Sequence, residues 1–283
     1  MYLALAGDEL PQGSSAKEVI ALAQRYGFKH IELMYRKNTQ AEGVEQSLQL
    51  IEDAGIKIAC VCSWTHLFKM EDVEQERKTL LEAIDIARRC GARFANTYFG
   101  RGPERDDEAA IEIYAENLKS CLDRAAELGV IIVLENEFDW DGGDTAQSDI
   151  TRRPEGIRRL VERVGSPHFR LTFDACNFYF AGVEPYPYAY NMLREYIAYV
   201  HVKDGARYDP QAYPRLSSPL VVSDHSGRYL CLPAGQGAIN YHGLLSALQS
   251  DGYDGPLVME PETEAARWHE TCQQTIDYLS SYL

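Results

Sequence analysis

Short apolar runs of strand type recur along the chain at Leu3–Ala6, His30–Met34, Lys57–Cys62, Arg93–Tyr98, Val130–Leu134, Arg170–Phe173, Tyr199–Val202 and Leu257–Met259. Between them lie stretches whose apolar positions repeat every three or four residues. The clearest is Asp107–Leu128, with Ile111, Tyr114, Leu118, Leu122, Ala125 and Leu128 on one side, the spacing of an amphipathic helix. Val73, Leu80, Leu81, Ile84 and Ala87 mark another. Gly27, Gly55, Gly91, Gly129, Gly165 and Gly252 stand where such helices would end, the place of a C-cap glycine. Ala54-Gly55-Ile56-Lys57-Ile58, Cys90-Gly91-Ala92-Arg93-Phe94 and Leu128-Gly129-Val130-Ile131-Ile132 repeat one grammar of helix, glycine, strand. Eight such units in 283 residues, about 35 residues each, predict an α/β fold, a single (β/α)8 TIM barrel spanning residues 1–283. A doubly wound open sheet is the competing architecture, but it would carry a glycine-rich turn after its first strand, and Ala6-Gly7-Asp8-Glu9 does not fit one.

One connection breaks the rhythm. Residues 204–240, after the seventh strand, form a long segment rich in Pro, Ser and Tyr. A connection of that length is usually functional or carries structure of its own. Arg228–Leu232 has the pattern of a strand within it.

Charge narrows the range of partners. The 28 basic and 43 acidic side chains leave a formal charge of −15, which offers no general footprint for nucleic acid and is repelled by an anionic membrane surface. No apolar run approaches the roughly 20 residues of a membrane span, and the start MYLALAGDEL lacks a signal-peptide pattern. Seven irregularly spaced cysteines without a CxxC motif read as reduced thiols of a cytoplasmic protein. Neither a P-loop nor a dinucleotide fingerprint occurs.

In a barrel of this kind chemistry sits at the C-terminal ends of the strands. The fifth strand runs into Glu135, the sixth into Asp174, the seventh contains His201 and the eighth runs into Glu260. Alternation puts Glu135 on the face of Val133, His201 on that of Lys203, and Glu260 on that of Val258. If those faces point inward, three carboxylates and one imidazole converge. That hard, oxygen-rich set suits Mn²⁺, Mg²⁺ or Co²⁺, and also accommodates Zn²⁺. A cation would remove the mutual repulsion of three carboxylates in one cavity.

These motifs resemble those of the xylose-isomerase-like barrel superfamily of sugar isomerases and epimerases, whose relatives include ketose 3-epimerases, hydroxypyruvate isomerase and inosose dehydratase. The resemblance covers nearly the whole chain. It is strongest in Val130–Asn136, Tyr199–Asp204 and Asp251–Glu260. It implies one divalent metal ion held by Glu135, Asp174, His201 and Glu260. By resemblance to the epimerase branch, Glu135 and Glu260 also form the acid/base pair and Arg207, six residues after His201, contacts substrate. That branch has a His three residues after the Asp, where this chain has Asn177, a departure from the pattern. Asn177 joins the substrate-binding candidates, together with His66 and Lys203.

The implied activity is a metal-dependent isomerisation or epimerisation of a sugar or sugar acid. A proton alpha to a carbonyl is removed, and an enediolate is stabilised. A lyase that dehydrates a keto-polyol of the inosose or dehydroshikimate type shares the first step and is the alternative. More remote is a non-catalytic barrel scaffold. The DNA-repair endonuclease branch of the superfamily would need further histidines after the early strands, and the negative charge opposes it. Partners are then a small carbohydrate, with neither nucleic acid nor membrane, and the chain is compatible with a homo-oligomer. Glu32 reads as a hydrogen-bonding residue of the barrel interior. Trp64, Tyr98, Phe99 and Trp140 are candidates to wall a sugar pocket, and His225 is a lid candidate.

Overall fold

The computed structural model describes all residues except 9, 12, 69–71, 103–105, 140–148, 210 and 212–219. Eight strands close a barrel: β1 (Tyr2–Ala6), β2 (His30–Met34), β3 (Lys57–His66), β4 (Phe94–Tyr98), β5 (Ile131–Glu135), β6 (Phe169–Asp174), β7 (Ile197–Val202) and β11 (Pro256–Met259). Their order is β1-β11-β7-β6-β5-β4-β3-β2, and every neighbouring pair is parallel. The predicted (β/α)8 architecture is the one observed. Trp140 lies outside the described residues.

The two helices read from periodicity, at Asp107–Leu128 and over Val73–Ala87, are present among the ten described. The ten are α1 (Ala16–Tyr26), α2 (Tyr35–Asn38), α3 (Val44–Asp53), α4 (Val73–Cys90), α5 (Asp107–Leu128), α6 (Pro154–Val164), α7 (Ala175–Phe180), α8 (Tyr190–Leu193), α9 (Tyr241–Ser250) and α10 (Trp268–Leu279). Asp106 caps α5 by accepting the Glu108 and Ala109 amides, and Gly129 ends it at φ 69°. Only glycine takes that left-handed turn at no steric cost. The α5 stripe of Ile111, Tyr114, Leu118 and Ala125 is buried against the outer faces of the strands. Among the described residues no helix is long and apolar enough to cross a membrane. The seven cysteines are free thiols, six of them buried.

Inside the barrel, Ala4, Cys60, Phe94, Val133, Tyr199 and Val258 pack together, with Phe94 and Tyr199 in edge-to-face contact at 5.3 Å. This apolar plug fills the lower half of the barrel, so polar residues of the strands' C-terminal halves are carried on a rigid floor.

The segment expected as a long loop builds a small antiparallel sheet. Its strands are β8 (Asp204–Arg207), β9 (Val221–Asp224) and β10 (Gly227–Leu232), in the order β8-β10-β9. Asp204 ties the two ends of this excursion: its carboxylate accepts the amides of Gly205, Gly235, Gly237 and Ile239 at 2.7, 2.9, 3.0 and 3.4 Å. Burial pushes its pKa up to about 6 against the pull of those amides. A Cβ at Gly237 would fall 2.0 Å from Asp204 Oδ1, so the close approach of backbone to carboxylate requires glycine there.

Candidate metal centre

The strand register brings the four predicted ligands to one level. His201 pairs with Asp174 on β6 and Val258 on β11, and Glu135 pairs with Thr172. One donor atom from each of Glu135, Asp174, His201 and Glu260 lies within 4.8 Å of every other. Glu135, Asp174 and His201 are at most 2% exposed. His201 Nδ1 sits 2.9 Å from Glu135 Oε1 and 3.1 Å from Glu260 Oε1. Its Nε2 faces Glu32 Oε2 at 3.2 Å. This division of labour is that of a ligating histidine, one nitrogen toward the cation and the other held by a carboxylate that fixes ring and tautomer. Glu32 is therefore the interior hydrogen-bonding residue expected from its position on β2. Burial pushes its carboxyl pKa upward, and His201 opposes the rise.

Neighbouring amides hold Glu135 and Asp174. Asn96 and Asn177 donate to Glu135 at 3.3 and 3.4 Å. Asn136 and Asp174 form a reciprocal bridge between β5 and β6: the Asn136 side chain donates to the Asp174 carbonyl and accepts its amide, both at 2.8 Å. Asp174 Oδ1 caps α7 by accepting the Asn177 amide at 2.9 Å. Its Oδ2 is fully buried, makes no aligned hydrogen bond among the described residues, and faces the Lys203 ammonium at 3.0 Å.

Lys203 supplies the counter-charge. Its Nζ lies 2.7 Å from Glu260 Oε2, 2.9 Å from Glu262 Oε1 and 3.0 Å from Asp174 Oδ2. Burial disfavours the ammonium, but these carboxylates hold its pKa well above the usual lysine range. Burial pushes Asp174 up to about 7 while Lys203 draws it down. Against the same burial, His201 and Lys203 hold Glu260 below its ordinary value. The residues fit a hard divalent cation by their chemistry and by the orientation of His201.

The remaining candidates separate. Asn177 spends its amide on Glu135 and on the Asn136 carbonyl at 2.8 Å, leaving buried Oδ1 without a hydrogen bond among the described residues. His66 ends β3 with its ring stacked on Tyr98 at 5.5 Å. Tyr98 packs with Met34 and Cys62 at the barrel mouth. Phe99 is fully buried against Tyr114 at 4.9 Å and belongs to the core rather than to a sugar pocket. Arg207 is exposed, lies over the Tyr229 ring at 5.8 Å, donates to the Ser226 carbonyl at 3.0 Å, and lines a groove of about 530 Å³ with Tyr179 and Tyr186. It ends β8, a strand of the small sheet rather than of the barrel.

Sequence reasoning missed Glu262, Asn96, Asn136 and Glu137. Glu262 stands two residues beyond Glu260, and Glu137 two beyond Glu135, so continued alternation was the available signal. Pro261 obscured it in the first case. Glu137 is crowded by burial and by Glu135, which push its carboxyl well above the usual range.

A second acidic cluster, Asp139, Asp224 and His225, already holds a cation of the protein's own. Arg152 reaches Asp139 Oδ2 at 3.0 Å and Asp224 Oδ1 at 2.7 Å.

Replacing Glu32 by Gln is expected to weaken divalent-metal affinity by roughly 10- to 100-fold, because the ring of His201 loses its charged anchor. Calorimetric titration with Mn²⁺ measures it, and unchanged affinity would remove Glu32 from this role.

The fold and site define a class: a (β/α)8 barrel with a carboxylate–imidazole centre at the C-terminal strand ends. The chain belongs to the xylose isomerase-like TIM barrel family, whose model matches residues 20–282. Among curated relatives, it is 25% identical over 162 residues to an inosose dehydratase of Lacticaseibacillus casei, covering 57% of this chain and 50% of that protein, so it spans about half the length of that relative. It is 24% identical over 277 residues to the putative L-ribulose-5-phosphate 3-epimerase SgbU of Escherichia coli (strain K12), covering 91% of this chain and 87% of SgbU. Among solved structures, the IOLI protein with a bound zinc atom superposes with a TM-score of 0.73 at 18% identity, covering 100% of this chain and 99% of that one, a likeness of fold.

Proposed function

We propose that this chain is a divalent-metal-dependent enzyme that removes a proton alpha to the carbonyl of a sugar or sugar acid and returns it, as an isomerase or epimerase. The observation that carries the reading is the pair of glutamates. Glu135 and Glu260 come from strands separated by β6 and β7 in the barrel, yet both reach His201 Nδ1, at 2.9 and 3.1 Å. A substrate seated over that imidazole has one carboxylate on each side.

A bound Mn²⁺, Mg²⁺ or Co²⁺ supplies a Lewis acid that makes the alpha proton removable by a carboxylate. Glu135 or Glu260 takes that proton, and the other returns one to the opposite face or to the adjacent carbon. Lys203 holds Glu260 and Asp174 in place and offers its ammonium to the developing negative charge on oxygen. Asn177 and His66 are the candidates to bond substrate hydroxyls.

The dehydratase reading shares the first step, and Asn177 stands where the epimerase branch has a histidine. One experiment separates the outcomes. In D₂O with Mn²⁺ or Mg²⁺ supplied, a panel of ketoses and keto-inositols is followed by NMR and ultraviolet absorbance. Deuterium at the alpha carbon with a new epimer or isomer supports the proposal. Deuterium with growth of an enone absorbance supports the dehydratase. Metal-independent behaviour with no exchange into any member of the panel overturns both.

A further inference from the structure

Beside the metal centre, toward β2 and β3, lies a cavity of about 250 Å³. Its inner wall is Met34 and Cys62, which also pack with Tyr98 at the barrel mouth. Met34 stands two residues beyond Glu32 on β2 and so shares its inward face, and Glu32 holds the His201 ring at 3.2 Å, so this wall of the cavity adjoins the site. Its outer wall is Trp64, with Arg36 and Lys37 from α2 and Gln75, Glu76 and Thr79 from α4.

Two features of Trp64 stand apart. It is 55% exposed, the most exposed large apolar side chain among the described residues. Its backbone sits at φ 52°, in the left-handed region that a bulky residue rarely adopts. Such conformations persist where the surroundings impose them and cluster at ligand sites. Neither burial nor backbone preference accounts for a tryptophan here.

The polar wall has its charges matched. Arg36 donates to Thr79 Oγ1 at 2.7 Å and lies 3.9 Å from a Glu82 oxygen, Lys37 pairs with Asp8, and Glu76 accepts the His66 amide at 2.9 Å. What the cavity offers is therefore an aromatic surface edged by hydrogen-bonding groups, with little net charge. That combination suits a polyhydroxylated ring, whose C–H face stacks on an aromatic and whose hydroxyls bond at the rim. Pockets for drug-sized ligands run to roughly 300–1,000 Å³, so about 250 Å³ suits one monosaccharide ring.

We propose that this cavity is a second sugar subsite, with Trp64 as its platform, and that it takes the non-reacting ring of a glycosylated substrate. The inference rests on the isomerase reading and names its substrate class: a ketose or keto-sugar bearing a second ring, rather than a free monosaccharide.

D-Fructose and lactulose share a ketose end and differ by a galactosyl group, so they test it directly. Deuterium exchange into both is measured with Mn²⁺ for the wild type, Trp64→Asn and Trp64→Phe. Asn keeps the left-handed backbone accessible and removes the ring, and Phe keeps a platform. Expected is a lower KM for lactulose than for D-fructose in the wild type. In Trp64→Asn the lactulose KM rises roughly 3- to 10-fold with kcat unchanged and D-fructose unaffected, and Trp64→Phe retains most of the advantage. Equal effects on both sugars, or a wild-type preference for D-fructose, overturn the subsite and leave the isomerase reading standing.

Exchange into neither sugar counts against the isomerase reading instead. Binding then decides the subsite, through tryptophan fluorescence. Saturable quenching by lactulose that D-fructose does not match, and that Trp64→Asn abolishes, supports it. Indistinguishable titrations overturn it.

Discussion

Replacing either Glu135 or Glu260 by Gln is expected to cut turnover by about 10³-fold or more, some 4 kcal/mol of barrier at 1.36 kcal/mol per tenfold. Gln keeps the shape and hydrogen-bonding reach of Glu but neither takes up nor delivers a proton. For Glu135, Asn96 and Asn177 donate to different oxygens, so Gln keeps one of the two bonds and the side chain's volume. For Glu260, the Lys203 ammonium keeps Asp174 and Glu262 as partners. Both glutamates are also metal ligands in the proposal, so part of the loss is weaker affinity. That part is recovered by saturating Mn²⁺, and the proton-transfer part is not. Asp174→Asn is the control, because Asp174 caps α7 and offers Oδ2 to the centre without a role as base. Its activity should return in large part at high Mn²⁺. Near-normal exchange in Glu135→Gln or Glu260→Gln at saturating metal removes that residue from the acid/base pair.

Arg152→Met is expected to lower folding stability by about 3–5 kcal/mol and the thermal midpoint by about 10 °C. The guanidinium is 8% exposed and bridges two carboxylates, Asp139 and Asp224, that are fully buried. Backbone amides of Ser226 and Asp139 and the charge of Arg152 hold Asp224 below the ordinary aspartate range in spite of its burial. A lowered carboxyl pKa contributes stability that is present above the unfolded value and lost as pH falls through the folded one. At neutral pH Asp224 thus remains charged, and removing Arg152 leaves Arg101 and His225 as the only described cations near Asp139. Methionine fills the volume, so the loss reports charge rather than a cavity. Adding Asp224→Asn should restore part of it, a coupling that a double-mutant cycle measures. A loss under about 1 kcal/mol would mean that solvent or the two neighbours already satisfy the pair.

The network also explains how a distant segment reaches the site. Asp224 ends β9, Asp139 follows β5 by four residues, and Arg152 precedes α6. Their bonds pin the small sheet to the loop that follows Glu135. No local pattern announces this. Asp139 and Arg152 are ordinary loop residues in sequence, and their partnership arises only when three connections meet above the barrel.

Strands, helices and the four ligands were legible because they depend on local rules. Period-two and period-3.6 patterning selects strand and helix, and glycine after a helix marks its end. In a parallel barrel every strand delivers its last inward residue to the same level. Glu135, Asp174, His201 and Glu260 could therefore be placed together from strand ends alone. Family resemblance then supplied their expected roles. Arg207 shows the limit. Its spacing from His201 matches a substrate-contacting residue, but it lies past β7 on a strand that belongs to a different sheet, where alternation no longer refers to the barrel axis.

The sequence by itself determined the barrel, its registerable core and the identity of the donor set, since each follows from periodicity along one chain. Only the tertiary structure decided which nitrogen of His201 faces the glutamates, that Glu32 holds the other, that Lys203 spans Asp174, Glu260 and Glu262, and that Trp64 stands open beside the mouth. Those are contacts between strands far apart in sequence, set by side-chain packing and buried charge at short range, and neither is encoded in any single segment.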